Sequence, residues 1–271
     1  MRPIDDSPIT RDGNSLIVAY DHGLEHGPRD FEPMPASADP KHVFEVAQHD
    51  GVTALALQKG NAEYYREWQE ENDGDTPLLV KLNGNSSLWD PDDYHSPLNC
   101  SVRYAAEELN ADAVGFTVYA GSDNEAGMFE EFCRIQEAAR QYDLAVVMWA
   151  YPRGHGIAGR DEWESSTSTE VISYAARIGL ELGADMVKCK YPGTREGWEE
   201  VHEVTKGMKT VMSGGSKASD EDFLSDVHNV IAAGGNGLAV GRNIFQRENP
   251  SELLDKLEGV IYENKSVEEV L

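Results

Sequence analysis

A lysine inside an apolar strand is the first place in this sequence where chemistry is available. The stretch Ala184-Asp185-Met186-Val187-Lys188-Cys189-Lys190-Tyr191-Pro192-Gly193 reads as a short strand that ends in a turn. An ammonium group buried there is costly unless it is paired or its pKa falls. A lysine kept as a neutral amine attacks a ketone and forms a Schiff base. Lys190 points to the same side of the strand as Lys188, and a second cation there helps to deprotonate the first. The alternative is a solvated lysine at a strand end, the usual fate of this residue. The other motifs weigh against that alternative.

Those motifs share one setting, the end of an apolar run. Asp21 and His22 follow Ser15 to Tyr20, and Lys81 lies near the end of Leu78 to Leu82. Trp149 and Tyr151 close the run Leu144 to Tyr151, with Arg153 just beyond. Ser213-Gly214-Gly215 follows Thr210 to Met212, and Gly241-Arg242-Asn243 follows Gly237 to Val240. Glycines let the backbone approach a ligand, and successive N–H groups make an anion-binding concavity. Arg242 adds a fork of donors, so these last two loops read as a phosphate site. A carboxylate such as Asp21 orients a substrate hydroxyl or moves a proton, and a phenol such as Tyr151 donates one. Asp21 as a turn cap and the aromatics as core filling are the structural alternatives. His22 and His26 hint at a metal, but the interrupting Gly23 and Gly27 suggest a loop and lack the order of a zinc-protease helix. No metal and no cofactor is expected.

The elements that position these residues alternate along the chain. Apolar strands are expected at 15–20, 53–58, 78–82, 113–117, 144–151, 185–189, 210–212 and 237–240. Helices are expected at 41–50, 102–109, 124–142, 169–182, 220–233 and 250–262, with a further one rich in Tyr, Trp and Glu before the acidic loop Asn72-Asp73-Gly74-Asp75. Long polar or glycine-rich loops are expected at 83–99 and 152–159. Such alternation over 271 residues predicts an α/β fold, a (β/α)8 TIM barrel formed as a single domain over 1–271, with its site at the C-terminal ends of the strands. A doubly wound sheet is the runner-up. It would place a glycine-rich nucleotide fingerprint after the first strand, where Asp21-His22-Gly23-Leu24-Glu25-His26-Gly27 stands instead.

Charge excludes several classes of partner. With 49 acidic and 23 basic residues the chain carries −26, so neither nucleic acid nor an anionic membrane is expected as a partner. An acidic shell of this kind resembles the proteins of salt-loving organisms, since salt at about 1 M screens repulsion to about 3 Å. The three cysteines, Cys100, Cys133 and Cys189, suit a reducing cytoplasm better than a disulfide framework. The absence of an apolar leader or spanning run predicts a soluble, cytoplasmic protein.

Taken together, five segments resemble the archaeal-type class I fructose-1,6-bisphosphate aldolases: Asp21-His22-Gly23-Leu24-Glu25-His26-Gly27-Pro28, Trp149-Ala150-Tyr151-Pro152-Arg153-Gly154, Lys188-Cys189-Lys190-Tyr191, Met212-Ser213-Gly214-Gly215-Ser216-Lys217 and Gly241-Arg242-Asn243-Ile244-Phe245-Gln246. The resemblance implies a phosphorylated sugar substrate. It makes Lys188 the Schiff-base lysine, Tyr151 the proton donor and Asp21 a contact to substrate hydroxyls. It further implies that Trp149 lines the site and that Ser213, Gly214, Gly215, Gly241 and Arg242 hold one phosphate. His22, His26, Asp30, Arg153 and Lys190 are the contacts to the rest of the substrate, with Lys217 a further cation nearby. It also implies a homo-oligomer. The related 2-amino-3,7-dideoxyheptulosonate synthases share the lysine, tyrosine and aspartate, but tend to lack Glu25, His26 and often the tryptophan; a non-catalytic phosphosugar-binding barrel is the third reading. Ser216 departs from the family pattern, where proline is common.

Overall fold

In the computed structural model, which describes residues 4–88, 94–158, 160–215 and 217–271, eight parallel strands close into a barrel in sequence order. They are β1 (Ser15–Tyr20), β2 (Ala54–Gln58), β3 (Leu78–Lys81), β4 (Ala113–Val118), β5 (Ala145–Ala150), β6 (Met186–Lys190), β7 (Lys209–Ser213) and β8 (Gly237–Val240). The helices are α1 (His22–Glu25), α2 (Pro40–Ala47), α3 (Lys59–Asn72), α4 (Val102–Glu107), α5 (Glu125–Arg140), α6 (Thr169–Glu181), α7 (Arg195–Thr205), α8 (Asp220–Ala232), α9 (Arg242–Phe245), α10 (Pro250–Tyr262) and α11 (Val267–Val270). Ser216, Gly159 and 89–93 of the long loop lie outside the described residues. Among the described residues no helix is long and apolar enough to cross a membrane.

Strand alternation separates two cores. Outward residues such as Leu16, Val18, Leu55, Leu57, Phe116, Val146, Met148 and Val187 pack under the helices. Inward residues form a second cluster: Ile17, Ala19, Ala54, Ala56, Leu79, Ala113, Ala145, Val147, Trp149, Met186, Val211 and Ala239, with Ile4 and Ile9 from the N-terminal segment. The alanines matter because they leave interior space that larger side chains occupy. Trp149 takes much of it, and Gly115 on the neighbouring strand makes this possible. A Cβ at Gly115 would lie 2.3 Å from Trp149 Cζ3, well inside contact distance.

Two differences from the sequence reading have physical causes. Helix α7 was not expected, because glutamates dominate it and only Gly197, Trp198, Val201 and Thr205 are buried on its inner face. Thr194 starts this helix by accepting a hydrogen bond from the Gly197 N–H at 3.0 Å. The segment after Asp21, expected as loop, makes one helical turn, α1, before Gly27 at φ 81° redirects the chain.

Candidate active site

The strands deliver their carboxyl ends to one cavity of about 490 Å³. It gathers Asp21, His22, His26, Tyr151, Arg153, Lys188, Lys190, Ser213, Gly214, Gly215, Gly241 and Arg242. Glu25, Asn85, Ser86, Ser87, Tyr94 and Tyr119 join them on the wall, and no motif in the sequence had pointed to Asn85, Ser86, Ser87, Tyr94 or Tyr119. The loop that carries Asn85 is clamped at its base by buried amides. Asn83 donates to the carbonyls of Ser96 and Thr117, both at 2.9 Å, and accepts from the Thr117 N–H at 2.7 Å.

Lys188 is 5 % exposed, and burial lowers its pKa to about 8 against the opposing pull of Asp21. The neighbouring cation that adds to this lowering is Lys81 on β3, not Lys190 as the spacing along β6 had suggested. Lys81 is fully buried; its Nζ lies 3.0 Å from Glu25 Oε1 and 3.9 Å from Asp21 Oδ2. Lys190 sits nearer the rim, where burial and then Arg153 lower its own pKa.

The acid and base candidates are pushed apart in the same space. Burial raises the Asp21 carboxyl, yet Lys188 and Lys81 outweigh it and bring the group down to about 2. Burial, with Asp21 and Glu25, drives the Tyr151 phenol well above its ordinary value, while Ser213 hydrogen-bonds to it and opposes the rise. At neutral pH the site therefore holds an ionised carboxylate, a protonated phenol and a partly neutral amine. That is the inventory for attack on a carbonyl and for a proton donation. His22 is lowered to about 4 by burial, so it faces the cavity neutral; its ring stacks on His26 at 5.6 Å.

The phosphate-type end combines backbone and guanidinium. Gly241 comes so near β1 that a Cβ would stand 2.3 Å from the Ala19 carbonyl oxygen and from His22 Cε1. Only glycine fits that approach. Arg242 begins α9 and is held by Asp30, with Nη1 3.3 Å from Asp30 Oδ1.

Asp30, Trp149 and the nearby cation Lys217 are not among the residues that line the cavity. Asp30 pairs with Arg242, and its carbonyl accepts from Gln246 Nε2 at 2.6 Å. Lys217 Nζ donates to the Gln246 carbonyl at 2.9 Å. Trp149 is 1 % exposed and forms a floor, with Lys188 Nζ 4.7 Å and Lys81 Nζ 5.2 Å from its ring. Among the described residues one group could bring ligand atoms to a shared metal, His49, Asp255 and Glu258, and none of the three lines this cavity.

Comparison with known proteins gives a consistent picture. The sequence profile of the DeoC/LacD family of aldolases matches residues 15–247. A class 1 fructose-bisphosphate aldolase of Halobacterium salinarum is 54% identical, covering 100% of this chain and 99% of its own. A 2-amino-3,7-dideoxy-D-threo-hept-6-ulosonate synthase of Archaeoglobus fulgidus is 33% identical over 98% of this chain and 92% of its own. The structure of an archaeal fructose-1,6-bisphosphate aldolase whose catalytic Lys is covalently bound to the carbinolamine intermediate of the substrate matches with a TM-score of 0.85 and 41% identity, over 94% of this chain and 96% of that one.

Proposed function

The chain belongs to the DeoC/LacD family of aldolases, and from that premise we propose that it is a Schiff-base aldolase that reversibly cleaves fructose 1,6-bisphosphate to dihydroxyacetone phosphate and glyceraldehyde 3-phosphate. The observation that carries this reading is a buried lysine, lowered to about 8, at a mouth with cations at two ends. Arg242 with the loops of β7 and β8 supplies one phosphate site, and Arg153 with Lys190 supplies the other.

Lys188 attacks the ketone carbon, and loss of water leaves an iminium. The iminium draws the electrons of the bond between carbons 3 and 4 while ionised Asp21 takes the proton of the carbon-4 hydroxyl, and the aldehyde departs. Tyr151, protonated at working pH, donates a proton to the carbon left behind, which frees the ketone for hydrolysis from Lys188. Asp21, ionised, contacts the substrate hydroxyls whose protons move. The neutral His22 ring and its stacked neighbour His26 contribute polar nitrogens beside it. Asn85, Ser86 and Ser87 present uncharged polar groups toward the hydroxyl-bearing middle of the substrate.

The heptulosonate synthase reading is weaker, since Glu25, His26 and Trp149 are all present and the identity is 33% against 54%. The proposed enzyme works in the cytoplasm as a homo-oligomer built from single-domain chains, and its charge of −26 supports a need for high salt. Incubation with fructose 1,6-bisphosphate in concentrated KCl with EDTA tests the reaction. Both triose phosphates are expected. Failure to release them, with phosphosugar binding intact, would leave a binding barrel.

A further inference from the structure

Lys81 takes part in none of these steps, yet it is a fully buried cation in the barrel. We propose that Lys81 is a positioning residue of the Schiff-base reaction: clamped by Glu25 and sharing the Trp149 indole with Lys188, it offsets one of two carboxylates and so leaves Lys188 free to stand as a neutral amine. This rests on the Schiff-base reading above and extends it to a residue outside the substrate cavity.

The geometry supplies the argument. Asp21, with His22 beside it, faces Lys188 from the end of β1, and Glu25 faces it from α1. Lys81 stands on β3 and Trp149 on β5, while Tyr119 and Tyr151 lie one residue past β4 and β5. Ser213 comes from β7, and the residues that alternate inward with Ala54 and Ala56 on β2 and with Ala239 on β8 carry no charge. Two carboxylates therefore oppose Lys188. Without a second cation their joint field would work against burial and leave less of the amine neutral. Glu25 Oε1 at 3.0 Å takes Lys81 as its partner, and Lys81 Nζ also stays 3.9 Å from Asp21. The arrangement keeps Asp21 ionised for the substrate while cancelling part of its pull on Lys188.

The floor is built for this arrangement. Lys81 pairs in register with Gly115, and the missing side chain at Gly115 is what admits the Trp149 ring. Both ammonium groups then stand within cation–π distance of one indole, at 5.2 and 4.7 Å from its ring. Any buried lysine needs a carboxylate partner; what sets this one apart is that it and Lys188 both approach the Trp149 ring, at 5.2 and 4.7 Å.

The test is the pH dependence of adduct formation on Lys188, read by intact mass after cyanoborohydride trapping with dihydroxyacetone phosphate. In the wild type the rate rises through about pH 8; no adduct at any pH would overturn the Schiff-base reading and this proposal with it. Lys81→Met should move the rise to higher pH by about one unit, a loss of about tenfold at neutral pH that is recovered in alkali. Glu25→Gln should move it the opposite way, and the double variant should return toward the wild type. Lys81→Arg should keep the wild-type position. Should Lys81→Met fail to fold, Glu25→Gln and the double variant still decide. A trapped adduct whose pH dependence is unmoved in the variants, or moves the same way in both single variants, would overturn the role of Lys81 and leave the aldolase reading standing.

Discussion

The outer shell and the barrel mouth use charge in opposite ways. On the helices, pairs one turn apart such as Arg103–Glu107, Arg134–Glu130 and Arg195–Glu199 stand in solvent, with side chains 45–69% exposed. Each contributes little, on the order of 0.3–0.5 kcal/mol, because water and salt screen it. In the mouth, Lys81 is 0% exposed and Asp21 9%, and each charge there changes what its neighbours do. The overall charge of −26 therefore says much about solubility and little about reactivity. Reactivity depends on a handful of groups that cannot be hydrated.

That contrast is sharpest at Lys188. Lys188→Met should abolish turnover with the barrel intact, since Lys81, the other amine beside Trp149, is held by Glu25; circular dichroism and a coupled cleavage assay check both halves, and normal turnover would pass the nucleophile to Lys190. Tyr151→Phe should slow turnover by roughly 10²–10⁴ while still allowing adduct formation, which rapid-quench trapping separates from the later proton step. Gly115→Ala pushes a methyl into Trp149 from 2.3 Å and so reaches the site without touching substrate. A loss of stability of about 1–3 kcal/mol and a lower kcat are expected, measured by urea unfolding and steady-state kinetics.

Asp30→Asn tests whether the residue behind Arg242 acts through it. KM for fructose 1,6-bisphosphate should change several-fold with kcat nearly kept; an unchanged KM would make the pair structural only. The smallest effect belongs to the shell. Removing the Arg134–Glu130 pair should shift stability by less than about 0.5 kcal/mol and leave kinetics alone. An effect there as large as at Gly115 would break the contrast.

Much of the barrel was legible because its strands are short apolar runs cut by glycine-rich turns, and β1, β8 and α10 stand where the residue pattern put them. Helix α7 was not, because its inner face is narrow and the rest is acidic. At the site, the segments after β1, β5, β6, β7 and β8 announce themselves by unusual residues. Lys81 was legible as a lysine near the end of β3, but its bearing on Lys188 was not, because it acts across the barrel and no local spacing links the two. Asp30 was expected at the substrate only through the family resemblance, with no motif around it; its pairing with Arg242 at the start of α9 appears only in the fold. Asn85, Ser86 and Ser87 carry no signature that sets them apart from any polar loop.

The measurement that tests the central claim most directly is peptide mapping after borohydride reduction with dihydroxyacetone phosphate, in high salt with EDTA. A single adduct on Lys188 is the predicted result. An adduct on Lys190 or Lys81 instead, or none while cleavage proceeds, would contradict the account of a neutral amine prepared at the end of β6.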